Sequence, residues 1–204
     1  MSGTVTWALL GIGLGVVVVR RRSVAVGLVT AQALVLTGVA LDGATTGDDV
    51  AAAAALSVRG LALATLFLFL VARTREPRPV RAGVAPLVRA SVAVGFALTL
   101  TWLVPVMGLE SRDAERVVLA LVGFGVATAA TRRATIFQVL GIVLVENGLA
   151  LAALELPGTA SSVGIELGVA FDLTLVALVA AVFHERIFAE FGAGDTAALR
   201  SLRD

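Results

Sequence analysis

Residues 134–153 read ATIFQVLGIVLVENGLALAA, and residues 163–183 read VGIELGVAFDLTLVALVAAVF. Each run is long and apolar enough to cross a bilayer as a helix, and each contains one carboxylate near its middle, Glu146 and Asp172 respectively. At about 1.5 Å of rise per residue, both carboxylates lie near the centre of a hydrocarbon layer about 30 Å thick. Inserting a charged side chain there costs about 2.5–3.5 kcal/mol, so both residues are candidates for a proton or ion path.

The composition of the whole chain is typical of an integral membrane protein. Of its 204 residues 58% are hydrophobic, against about 45–50% in soluble domains, and the mean hydropathy is +0.98. The net charge of +1 provides no basic field for nucleic acid. Cysteine is absent, and a single histidine, His184, excludes a multi-histidine metal site. No phosphate loop or nucleophile elbow is present, so the sequence predicts neither a catalytic site nor a cofactor or metal.

The apolar segments predict an all-α fold with seven transmembrane helices, because isolated strands would leave backbone groups unpaired in lipid. Pro105, in the fourth segment, predicts a kink. The seven segments are 5–19, 24–41, 50–72, 83–107, 117–130, 134–153 and 163–183.

The distribution of arginine predicts the orientation of these helices. Twelve arginines fall on one side of the predicted bundle and two on the other. By the positive-inside rule the N-terminus is outside and the C-terminus cytoplasmic, which agrees with an odd number of helices. No basic residue precedes the first apolar run, which favours a retained helix over a cleaved signal peptide.

A weak internal repeat accompanies this pattern. The motif at 10–13 resembles the one at 122–125, each followed by paired arginines, at an offset of 112 residues. Arg59 in the third segment corresponds to Asp172 in the seventh. One interpretation is a 3+1+3 arrangement of parallel copies joined by the fourth helix. The alternative is two unrelated apolar triplets.

The ionisable groups within the apolar segments have two interpretations. In the first, Arg59 forms a structural ion pair with one of the mid-membrane acids. In the second, Arg59, Glu146 and Asp172 belong to a proton path, which requires neighbouring protein to shelter both acids from lipid. Glu166, nearer the outer surface, and His184, at the cytoplasmic end of the last segment, are further candidates for that path. The alternatives are a solvated interfacial acid for Glu166 and an interfacial histidine for His184.

Three further residues carry packing predictions. Asn147 is expected to hydrogen-bond across helices, and Gly148 to permit close helix approach. Arg89 is expected to snorkel to the cytoplasmic side. After the last span, Gly192 is expected to end a first tail segment, and residues 195–202 are expected to form a short second helix that docks on a partner subunit or lies on the lipid surface.

Several stretches resemble the hydrogenase-4 component E family, which belongs to the membrane arms of group 4 nickel–iron hydrogenases and formate hydrogenlyase-type complexes. The C-terminal half of that family resembles the K-type subunit of complex I and the C-type subunit of Mrp antiporters. The matching stretches are RRATIFQVLG at 132–141, LVENG at 144–148, ELGVAFD at 166–172, FHERIF at 183–188 and GDTAAL at 194–199.

The resemblance implies a non-catalytic membrane subunit in a multi-pass complex of the prokaryotic plasma (inner) membrane. Glu146 and Asp172 would then belong to a buried polar axis that carries protons in step with electron transfer between other subunits. The chain would then comprise four N-terminal helices (1–108), a three-helix K-type-like unit (109–184) and a cytoplasmic docking tail (185–204). Its partners would be antiporter-like and hydrogenase-like subunits and the lipid bilayer. The alternatives are a structural scaffold subunit and a subunit of an Mrp-like monovalent cation/proton antiporter.

Overall fold

Every element in the described part of the chain is a helix. The computed structural model describes residues 3–74, 84–156 and 163–191. The helices are α1 (Gly3–Val18), α2 (Arg22–Asp42), α3 (Gly47–Thr74), α4 (Pro86–Leu103), α5 (Arg112–Thr131), α6 (Thr135–Leu154) and α7 (Val163–Phe191). Five of them, α2 to α6, are long and apolar enough to cross a membrane, and α1 is shorter. The prediction of an all-α, seven-helix chain is confirmed for these residues, and its composition is that of a multi-pass membrane protein.

The fourth helix is shorter than predicted, and the predicted kink at Pro105 is wrong. α4 begins at Pro86, which suits the first helical position because its missing N–H would be unsatisfied there. It ends at Leu103, and Val104 has an extended backbone (φ −82°, ψ 126°). A residue that precedes proline is sterically disfavoured in the helical region. Pro105 therefore ends this helix instead of bending it.

The fifth helix begins five residues before its predicted start. Ser111 has an extended backbone, and its side chain accepts a hydrogen bond from the Ala114 N–H at 3.0 Å. Asp113 and Glu115 lie in the first turn, where carboxylates interact favourably with the helix dipole. The cap thus extends α5 over a charged stretch that hydropathy alone had excluded.

The last helix continues past the predicted membrane boundary at Phe183 to Phe191. Its 29 residues correspond to about 44 Å, which exceeds the hydrocarbon thickness. The first tail segment is therefore continuous with α7. The predicted second tail helix lies outside the described residues.

The helices α5 and α6 form the closest pair in the bundle. A Cβ atom added to Gly125 would lie 2.5 Å from the Gly141 carbonyl oxygen, and one added to Gly141 would lie 2.6 Å from the Gly125 carbonyl oxygen. A Cβ added to Gly148 would lie 3.2 Å from Leu121 Cβ, which confirms its predicted role in close packing. The helices α1 and α4 pack on α5, α2 packs on α6, and α7 packs on α3.

The two ends of the bundle carry opposite charge. At one end, Arg132 donates to the carbonyl oxygens of Val17 and Val19, which brings the end of α5 to the end of α1. At the other end, the Glu110 N–H donates to the Glu155 carbonyl oxygen at 3.0 Å. Arginines cluster at the first end, which we call the basic end, and acidic residues predominate around the second.

Candidate functional site

Glu146 lies on α6, one of the two helices of the closely packed α5–α6 pair. It is the twelfth of twenty residues in α6 and is half-buried. The contact between Gly125 and Gly141 sets the separation of α5 and α6 just over one turn away. Glu146 therefore stands at mid-helix on a backbone that has little freedom to shift.

Asn147, which follows Glu146 in α6, belongs to a buried chain of polar groups. Its Nδ2 donates to Gln32 Oε1 at 2.9 Å, and Gln32 Nε2 in turn points to the Leu9 carbonyl oxygen at 3.4 Å. Both side chains are buried, with exposed fractions of 0% for Gln32 and 1% for Asn147. We call Leu9, Gln32 and Asn147 the polar strip. It crosses α1, α2 and α6, and it confirms the prediction that Asn147 hydrogen-bonds across helices.

A cavity lies beside the polar strip, between α2, α3 and α6. It encloses about 10 Å³, room for about one water molecule, and its polar lining comes from Thr30, Arg59 and Asn147. Arg59 is buried, with 3% of its surface exposed. Next to Arg59, α3 packs closely on α2, because a Cβ added to Gly60 would lie 2.7 Å from Ala33 Cβ. Since water needs several polar partners to occupy a buried space, the side of the cavity at Arg59 and Asn147 is the part suited to hold it.

The face of α7 that packs on the bundle includes His184. Leu173, Ala177, Ala181 and His184 are all buried at intervals of three or four residues, which is the spacing of one helix face. His184 has an exposed fraction of 1%. The predicted site residue at the end of the last span is therefore a buried side chain at the helix–helix contact.

Asp172 lies on the other side of α7. It precedes Leu173 and is exposed on the surface of the single chain. Glu166 belongs to α7, and its side chain lies outside the described part of the structure. The structure thus brings Arg59 and Asn147 to one cavity, with Glu146 next to Asn147 in α6, and it leaves Asp172 on the chain's outer surface.

The hydrogen bond between Gln32 and Asn147 is open to a direct energetic test. Exchange of Asn147 for leucine is expected to destabilise the protein by about 1–2 kcal/mol, because it leaves a buried acceptor on Gln32 unpaired. In a double-mutant cycle with Gln32→Leu, the coupling energy should be about 0.6 kcal/mol, the average for hydrogen bonds between membrane helices, and no more than about 1.7 kcal/mol. Unfolding in mixed micelles measures each variant, and strictly additive costs would show that the bond contributes nothing.

Sequence reasoning missed a second polar cluster, at the basic end. Arg89 and Arg132 have exposed fractions of 1% and 4%. The Arg89 side chain extends to the basic end but is buried there, where its guanidinium Nη2 donates to the Val18 carbonyl oxygen at 3.4 Å. The end of α1 offers carbonyl groups that no later turn of helix can pair, and these attract the arginines inward. Paired arginines next to a helix end were the available signal, but they were interpreted only as signals of orientation and of the internal repeat.

Comparisons of the chain with protein-family models, with curated proteins and with solved structures found no match. The argument for function therefore depends on the residues themselves.

Proposed function

We propose that this chain is a non-catalytic membrane-arm subunit of a hydrogenase-4-like or complex I-like assembly, in which Glu146 carries protons through the bilayer. The observation that supports this most is the set of polar groups near the middle of α2, α3 and α6. Glu146 is half-buried in α6, Asn147 and Gln32 form a buried amide pair, and Arg59 lines the adjoining cavity. Glu146 supplies a titratable carboxyl on α6, and the cavity at the neighbouring Asn147 supplies a polar space for about one water molecule.

The energetic cost of this arrangement favours a functional role over a purely structural one. Glu146 costs about 2.5–3.5 kcal/mol to place at the centre of the membrane. Close helix packing, which needs only small residues, already holds α5 against α6 at Gly125 and Gly141. Charged groups that packing does not require are typical of ion and proton paths.

The position of Asp172 supports the assignment to a larger assembly. Its carboxyl group is exposed on α7 about nine residues into the helix, at a depth where lipid chains would surround it in an isolated chain. Ionisable residues in membrane helices almost always face protein or a water-filled cavity. A neighbouring subunit that packs on this side of α7 would provide that environment and would join Asp172 to the same path.

The charge distribution supports an orientation with the basic end in the cytoplasm of a prokaryotic cell. Arg20, Arg21 and Arg133 are exposed there, whereas Asp42 and Glu110 are exposed at the opposite end. The positive-inside rule then places the N-terminus outside the plasma membrane and the C-terminus inside.

The packing of the helices also supports the parallel repeat. The helix α1 ends at Val18 and α5 at Thr131, at an offset of 113 residues that resembles the sequence offset. Each helix of the first triplet contacts its counterpart, α1 with α5, α2 with α6 and α3 with α7. The amide pair of the polar strip joins the two triplets.

A scaffold role is the second candidate. The polar strip favours it, because a buried amide pair also fixes the register of the helices.

Affinity purification of the tagged chain from its own host identifies the assembly to which the chain belongs. A hydrogenase-like subunit should retain catalytic and antiporter-like subunits, whereas partners of the antiporter type alone would support an Mrp-like cation/proton antiporter.

Variants of the two acids extend this test. If Glu146 and Asp172 act in proton transfer, Glu146→Gln and Asp172→Asn should assemble into the complex at the wild-type level on blue-native gels. If both acids serve as structural contacts, the same variants should lose the subunit. Asp42→Asn is the matched control, because Asp42 is exposed at the end of α2.

A further inference from the structure

Three arginines converge where α1 ends, α4 begins and α5 ends. Arg132 donates through Nη2 to the Val17 carbonyl oxygen at 2.9 Å, and Arg89 reaches the neighbouring Val18 carbonyl. Arg20 follows α1 directly and is exposed. The Arg132 guanidinium also lies 3.9 Å from the centroid of the Phe137 ring, which holds it in place from the other side.

The donors of this cluster are only partly used. Nε and Nη1 of Arg89, and Nε and Nη1 of Arg132, are buried without a hydrogen-bond partner. Buried donors of this kind are rare in folded proteins, and a charged one is costly to leave unpaired. Among the described residues, no carboxylate forms an ion pair with Arg20, Arg89 or Arg132.

The charge of the cluster is also unbalanced. The C-terminal ends of α1 and α5 each contribute about half a negative charge, which offsets about one of the three positive charges. Burial, together with the nearby Arg89 and Arg20 guanidinium groups, lowers the pKa of Arg132 to about 9, so it remains charged at neutral pH. A bound anion would relieve the repulsion between these three positive charges.

We propose that Arg20, Arg89 and Arg132 bind a phosphate group at the basic end of the bundle, supplied by the headgroup of an anionic phospholipid. Arginine is suited to this ligand because its planar donors match phosphate oxygens in pairs. The ends of membrane helices lie at the depth of lipid headgroups, where basic pockets between helices bind anionic lipids. Exposed Arg20 is the point of approach, and the unused donors of Arg89 and Arg132 complete the site. This inference is independent of the proton path at Glu146.

Native mass spectrometry of the purified full chain tests the proposal with phosphatidylglycerol, phosphatidylcholine and inorganic phosphate as three separate probes. We expect phosphatidylglycerol to be retained in preference to phosphatidylcholine. Arg20→Gln should weaken that binding about tenfold or more, because it removes a charge-assisted hydrogen bond to the phosphate. Arg132→Gln should weaken it further. Arg21→Gln is the matched control, because Arg21 is the adjacent residue, is exposed and lies outside the cluster. It should weaken binding by about fivefold at most, the effect of losing one basic group near the membrane surface.

The outcomes are distinct. Retention of phosphatidylglycerol with no effect of inorganic phosphate identifies a lipid headgroup as the source, and competition by millimolar phosphate identifies a site for free phosphate. Arg20 does not contact the α1 carbonyls, so Arg20→Gln remains informative even if Arg132→Gln fails to fold. Equal retention of the two lipids by the wild-type chain, or equal losses in Arg20→Gln and Arg21→Gln, would overturn the proposal.

Discussion

Exchange of Gly141 for leucine is expected to prevent the chain from reaching its folded state. Even the first added carbon would lie 2.6 Å from the Gly125 carbonyl oxygen and 2.8 Å from the Ala129 backbone nitrogen. Backbone atoms cannot rotate away as the end of a flexible side chain can. Overpacking costs about 1–3 kcal/mol where side chains are able to move and more where they are not. Against a total stability of about 5–15 kcal/mol, this change should remove most of the folded protein.

Size-exclusion chromatography in detergent, with the chain tagged, measures the folded fraction. Gly95→Leu is the matched control, because Gly95 is exposed on α4 and a Cβ added there meets nothing within 4 Å. The control should elute as the wild type does. If Gly141→Leu gave the same monodisperse peak, α5 and α6 could not be packed as closely as the structure has them.

Exchange of Glu146 for glutamine is expected to reduce proton pumping by about tenfold or more while electron transfer continues, because a positioned acid–base group typically contributes factors of that size or larger. Glutamine keeps the shape and hydrogen-bonding capacity of the side chain but cannot take up or release a proton. Its neighbour Asn147 would still reach Gln32, so the polar strip should remain intact. Inverted membrane vesicles that contain the whole assembly, with a pH-sensitive dye, measure pumping against electron transfer in the same sample.

Glu110→Gln is the control for this experiment. It makes the same chemical change at an exposed acid between α4 and α5, far from the polar strip in the described structure. Wild-type pumping in Glu110→Gln together with loss in Glu146→Gln would assign the effect to position 146. Full pumping in both Glu146→Gln and Asp172→Asn would exclude a relay role for these acids and leave the scaffold role.

The positions of the helices could be predicted because hydropathy determines which segments enter lipid. Their ends could not, because they depend on local stereochemistry that an average over a window does not contain. Pro105 stops α4 through its effect on Val104, and the Ser111 side chain starts α5 within a charged stretch. In both cases a single residue outweighs the surrounding composition.

The candidate site was predictable only in part, because the sequence does not show how each helix is rotated. Gln32, Arg59 and Asn147 are recognisable one by one as polar residues within apolar runs. Their meeting depends on how α2, α3 and α6 are rotated about their own axes. A helix that is apolar on all sides carries no periodicity that reveals its rotation. The exposure of Asp172 has the same origin, since a sequence that is apolar all round does not show which face of α7 meets the bundle.

The burial of the arginines at the basic end could not be predicted from the sequence. An arginine near a helix end is expected to reach water, since its stem can cross the interface. Arg89 and Arg132 instead turn inward to the unpaired carbonyl groups at the end of α1. That choice depends on a tertiary contact between segments more than 70 residues apart in the chain.

Infrared difference spectroscopy of the purified assembly, recorded as electron transfer is switched on and off, measures the protonation of Glu146 most directly. We expect a change in the carbonyl band of a protonated carboxyl group, present in the wild type and in Glu110→Gln and missing from Glu146→Gln. The same band in Glu146→Gln would show that Glu146 exchanges no proton during turnover and would contradict the proposed path.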